Sequence, residues 1–113
     1  MPTFFRLSEF DKELKRLSKK YPSLASDVGD IKPILLSSPT GIGKNFVIIK
    51  IVENIKIIKV DVHCESLRSR AIRLIYACHK DEAVEFVYIE LYFKGDKANE
   101  NNERITQYLK TKK

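Results

Sequence analysis

Between residues 45 and 94 the chain carries four apolar segments in which polar side chains fall largely on alternate positions: NFVIIKIVE, IKIIKVDVH, RAIRLIYACH and AVEFVYIELYFK. Alternation with a period of two marks a half-buried strand, because successive side chains leave opposite faces of a sheet. The short polar stretches between the segments read as turns. Upstream the period changes. TFFRL (3–7) reads as a short edge strand, after which Phe10, Leu14, Leu17 and Tyr21 recur at helical spacing. Lys12, Lys15, Arg16, Lys19 and Lys20 form the polar side of that helix. Ser8 with Asp11 has the pattern of a capping box at its start.

A second helix is expected from Pro22, with Leu24, Val28, Ile31 and Leu35 as its stripe. Pro33 should kink it or end it early, since proline removes a donor and crowds the preceding turn. SSPTGIG (37–43) reads as a loop, and NNERITQYLK as a short helix with Ile105, Tyr108 and Leu109 inward. The terminal LKTKK is expected to fray. Helices followed by closely spaced strands predict an α+β fold: an antiparallel sheet of four to five strands, two N-terminal helices packed on it, and a short C-terminal helix. A chain of 113 residues is the size of one domain, spanning 1–113.

Strand phase sorts the side chains. Ile58, Val60 and Val62 form one apolar row, leaving Lys59, Asp61 and His63 opposite. Ile72, Leu74 and Tyr76 form the next, leaving Arg73 and His79. For the last strand the expected core row is Val87, Ile89, Leu91 and Phe93, leaving Tyr88, Glu90, Tyr92 and Lys94. Paired in one sheet, these leftovers converge. Cations, carboxylates and phenols on one face suit a phosphodiester, and tyrosines beside lysine and arginine suit single-stranded RNA by stacking and phosphate contact. The competing reading is a solvated face whose lysines block edge aggregation.

Charge adds weight to a polyanion. The formal charge is +6, and residues 44–80 hold eight Lys or Arg against three acids. Concentrated positive charge draws nucleic acid or an acidic protein through counterion release, although it also describes a merely soluble surface. No apolar run approaches a membrane span, and MPTFFRLSEFDKEL lacks the layout of a secretory signal, so the cytoplasm is the expected location and no membrane partner is expected.

Two other motifs are weaker. PTGIGKN (39–45) resembles a Walker A phosphate loop but has Ser38 at the first required glycine and Asn45 after the lysine, so no nucleotide cofactor is expected. His63–Cys64 and Cys78–His79 point their members to opposite faces of a strand, which argues against a shared metal.

The element order, with the lysine of IIKV (Lys59), the run RLIY beginning at Arg73, and YFKGDK, resembles the RelE/ParE superfamily of bacterial and archaeal toxin–antitoxin toxins. The likeness covers most of the chain. It implies a RelE/ParE-like fold and a toxin that cleaves mRNA on the ribosome, contacts rRNA, needs no metal or other cofactor, and is neutralised by a cognate antitoxin protein. In that chemistry the RNA's own 2′-OH attacks the neighbouring phosphate. By position, Lys59 and Arg73 match the family's phosphate-stabilising residues, and Lys94 falls near the basic residue that ends the last strand. Tyr92 completes the catalytic set, while Arg68, Arg70, His63 and Tyr88 are the RNA-binding candidates. Two departures stand out: Asp61 occupies the place of a second basic residue, and GDKANENN follows Lys94 where an arginine and a tyrosine are usual. Tyr92, Glu90 and His63 are then the acid–base candidates. A ParE-like, non-enzymatic inhibitor of DNA gyrase and a degenerate RNA-binding member are the alternatives.

Overall fold

The alternation between residues 45 and 94 becomes four consecutive antiparallel strands, flanked by helices on both sides of the sheet. The computed structural model describes residues 2–81 and 83–111. Its elements are β1 (Thr3–Arg6), α1 (Ser8–Lys20), α2 (Leu24–Gly29), α3 (Ile31–Ser37), β2 (Phe46–Val52), β3 (Ile55–Cys64), β4 (Ser69–Lys80), β5 (Val84–Phe93) and α4 (Asn102–Thr111). The last two lysines of LKTKK lie outside the described residues; Leu109 to Thr111 are helical.

The sheet order is β1-β5-β4-β3-β2. β1 pairs with β5 in parallel, Thr3 opposite Glu85 and Arg6 opposite Tyr88, so the sheet is mixed where an antiparallel one was expected. The helices α1–α3 carry the chain from one edge of the sheet to the other, and a parallel pair requires a crossover of that kind. None of the described helices is long and apolar enough to cross a membrane.

Each face of the sheet has its own core. Phe10, Leu17, Leu24 and Leu35 pack on Ile58, Val60, Leu74 and Tyr76 on the α1–α3 side. On the other side Ile105, Tyr108 and Leu109 of α4 cover Ile57, Ile75, Ala77, Val87 and Ile89. The expected second helix is two helices that part at Asp30. Pro33 therefore stands in the first turn of α3, where a backbone N–H has no intrahelical partner to lose. The Ser8–Asp11 capping box does not form: Ser8 hydrogen-bonds Glu9, and Asp11 pairs with Arg6 at 3.3 Å.

β5 departs from simple alternation. Ile75 pairs with Glu90 but the next residue, Tyr76, pairs with Tyr88, leaving Ile89 as an inserted bulge residue. The expected row Val87, Ile89, Leu91, Phe93 is corrected accordingly: Val87 and Ile89 pack under α4, whereas Leu91 and Phe93 lie with α1–α3. Because β1 ends opposite Tyr88, the rest of β5 is an open edge. Side chains close it. Glu13 Oε1 accepts the Leu91 N–H at 3.1 Å, and Arg104 Nη1 donates to the Ile89 carbonyl at 2.9 Å. The two side chains also meet bidentately, at 2.8 and 2.9 Å, with both largely shielded from water.

Replacing Glu13 by alanine strands the Leu91 N–H and one face of a half-buried guanidinium. Glu13→Ala is expected to cost about 2–4 kcal/mol in urea unfolding; a loss below about 0.5 kcal/mol would mean the edge is closed by other groups.

Candidate anion-binding site

α4 covers only part of its face of the sheet, and the uncovered part carries the polar row. Asp61 of β3 lies opposite Arg73 of β4, which lies opposite Tyr92 of β5. One step along, Lys59, Ile75 and Glu90 form the parallel row. Period two on β3 and β4 puts these side chains on one face. On β5 the bulge performs the same service, returning Glu90 and Tyr92 to the α4 side after Tyr88 has pointed the other way.

Asp61 is the hub. Its Oδ1 accepts from Arg73 Nε at 3.1 Å and its Oδ2 from Lys94 Nζ at 3.1 Å. Arg70 Nη1 donates to the Asp61 carbonyl at 3.1 Å. Lys59, Arg73 and Lys94 thus gather at one place, as strand phase predicted. The segment 95–100, given no element from sequence, folds back over them. Lys59 Nζ pairs with Glu100 Oε1 at 3.5 Å, and Arg73 Nη1 donates to the Ala98 carbonyl at 3.0 Å. Lys97 sits 5.0 Å over the Tyr92 ring centroid and bonds the Glu90 carboxylate. Gly95 permits the reversal, since a Cβ there would meet the Phe93 ring at 2.3 Å.

The anchor of that segment is Glu90, a carboxylate with no exposed surface. One oxygen accepts the Asn101 N–H at 2.7 Å and the other accepts from Lys97. Asn101 in turn accepts the Arg104 N–H at 3.0 Å and so caps α4. Glu90, an acid–base candidate by sequence, is spent on architecture.

The cations are partly shielded: side-chain exposure is 21% for Lys59, 22% for Arg73 and 32% for Lys94, so each keeps some surface that an anion can reach. The neighbouring Tyr92 hydroxyl, and after it the Asp61 carboxylate, raise the Arg73 pKa against the opposing effect of burial. Burial pushes the Tyr92 hydroxyl up, while Arg73 pulls it down. At neutral pH the face therefore presents a fixed guanidinium backed by an un-ionised phenol. Such a set can neutralise and orient a phosphate or a carboxylate. Its cations already hold carboxylates, so an incoming anion exchanges partners instead of filling vacant charge.

Three buried side-chain oxygens among the described residues lack a hydrogen bond, and two of them, Tyr92 Oη and Glu100 Oε1, are here. Native interiors leave few such groups, and those that remain cluster where a ligand or water completes them.

Other sequence candidates lie apart. Tyr88 is on the opposite face, packed against Phe10 at 5.3 Å and Phe4 at 6.1 Å, with its pKa pushed up to about 12 by burial. The bulge corrects that assignment. His63 is exposed and engaged with Glu65 at 3.0 Å, outside the Asp61 cluster. Arg68, held at φ 51° in the β3–β4 turn, and Arg70 are exposed at the rim. Lys97, Ala98 and Glu100 were missed from sequence, because strand period stops at Phe93 and gives no direction to a loop. The only available signal was charge in the polar stretch that follows the last strand.

Glu90→Ala removes the acceptor for Asn101 and Lys97. Amide exchange in residues 97–109 is expected to speed at least about tenfold, the equivalent of ~1.4 kcal/mol, with β3 and β4 little changed. Equal acceleration across the whole sheet would show that Glu90 holds the fold and not the segment. No family model matches the chain, and neither a curated protein nor a solved structure matches it.

Proposed function

We propose that this chain is the toxin of a toxin–antitoxin pair, a metal-independent endoribonuclease that cleaves mRNA on the ribosome through attack of a 2′-OH. One observation carries the reading. Lys59, Arg73 and Lys94 come from separate strands and strand ends, yet they share one half-shielded face, Arg73 and Lys94 on Asp61 and Lys59, two residues before it on β3, on Glu100. The motif resemblance to the RelE/ParE superfamily assigns the phosphate to those positions. The chemistry asks little else of the protein: orientation of the chain, neutralisation of the crowded phosphate, and two proton transfers. Tyr92 backs Arg73, and Arg70 with Arg68 extends positive charge from the cluster toward the β3–β4 turn, where an RNA backbone can lie.

A cytoplasmic antitoxin fits the same face. Its covering segment should be acidic, because Lys59, Arg73 and Lys94 can trade their internal carboxylates for those of a partner.

A second reading has its own observation. Asp61 already engages both Arg73 and Lys94, which favours binding over cleavage and a ParE-like block of DNA gyrase. Induced expression should arrest growth, and RNA 5′-end mapping should show cuts within translated mRNA. With purified protein and programmed ribosomes, Arg73→Ala should slow cutting roughly a hundredfold or more. Intact mRNA together with blocked supercoiling would transfer the assignment to gyrase; intact mRNA and normal supercoiling would discard both.

A further inference from the structure

The residue that takes the proton from the attacking hydroxyl can be found by elimination among the carboxylates of the site. Asp61 has both oxygens engaged by cations, at 3.1 Å each. Glu90 is wholly buried with both oxygens occupied. Glu65 is exposed and tied to His63, away from the cluster. Glu100 is different. It lies against Lys59 at 3.5 Å, its side chain is 14% exposed, and its buried Oε1 accepts no hydrogen bond. A buried carboxylate oxygen held only by one ammonium has lone-pair capacity left for an O–H.

We propose that Glu100 is the general base of this site and that Lys59, its ion-pair partner, is the general acid. The inference rests on the ribonuclease reading above. Glu100 removes the 2′-OH proton as the 2′ oxygen forms its bond to phosphorus. The bond from phosphorus to the 5′ oxygen breaks, and Lys59 gives that oxygen a proton. The products are a 2′,3′-cyclic phosphate and a 5′-hydroxyl. Glu100 has then gained one proton and Lys59 has lost one. Transfer between them across the 3.5 Å gap restores the starting pair, so no other reactant is consumed. Arg73 and Lys94 carry the phosphate charge. The segment that brings Glu100 to the sheet is the one that replaces the family's usual C-terminal arginine and tyrosine.

The test compares wild type, Glu100→Gln and Glu100→Asp in single-turnover cleavage of mRNA on programmed ribosomes. Affinity is measured on the same complexes carrying a 2′-O-methyl nucleotide at the mapped cut site, which cannot react. Glu100→Gln should slow cleavage by on the order of a hundredfold to ten-thousandfold, with Glu100→Asp between the two. Affinity for the methylated complex should stay within about threefold of wild type, as expected for a group that acts in the transition state. Cleavage by Glu100→Gln at or above the wild-type rate would make Glu100 a mere counterion to Lys59 and overturn the assignment. Parallel loss of binding and of thermal stability would make it a structural residue, with the same consequence. If wild type cuts no mRNA, the ribonuclease reading fails, and this inference fails with it.

Discussion

A carboxylate with no contact with water has to be satisfied by the protein, and Glu90 is satisfied by a segment that comes after it in the chain. Ionised groups are costly to bury alone, so the Lys97 ammonium and the Asn101 N–H are drawn onto the sheet. Much of the site follows from that demand. Asn101 caps α4 and sets where that helix begins. The residues between the two contacts are then laid across the cations, Ala98 on Arg73 and Glu100 on Lys59. Glu90 can serve this purpose only because the bulge at Ile89 restores it to the α4 side.

The same logic explains why the face is not an open basic patch. Lysine and arginine on adjacent strands repel one another at short range unless carboxylates are interleaved. Asp61 separates Arg73 from Lys94, and Glu100 compensates Lys59. The result is a partly shielded cluster in which carboxylates already occupy the cations, so an external anion would have to displace several partners together. Asp61 most changes the electrostatics of this face, because it holds two cations in register.

The open edge of β5 shows how the helices on opposite faces are coupled. Glu13 from α1 and Arg104 from α4 meet beyond the end of β1 and supply the hydrogen bonds that a neighbouring strand would have made. Movement of α4 is therefore felt both at the strand edge and, through Asn101 and Glu90, at the cations. Strand β2, at the other edge, leaves Val47, Ile48 and Ile51 exposed, while Ile49 and Val52 pack against the α4-side core.

On β3 and β4 the sequence was enough. Apolar rows of Ile58, Val60, Val62 and of Ile72, Leu74, Tyr76 obey period two without interruption, so the outward direction of Lys59, Asp61 and Arg73 followed from backbone geometry alone. The same was true of the inward faces of α1 and α4. On β5 it was insufficient, because VYIELY carries large side chains on both phases, both faces of that strand are buried, and its one charged residue, Glu90, is itself buried. With no exposed polar residue to mark the slip, only pairing against β4 could locate the bulge and send Tyr88 to the opposite face from Tyr92. The parallel pairing of β1, the break between α2 and α3, and the path of residues 95–101 also depended on long-range contacts that no local pattern encodes. Local periodicity determines which way a side chain leaves its own strand; where charges from a loop come to rest is decided by the buried groups, far away in sequence, that need them.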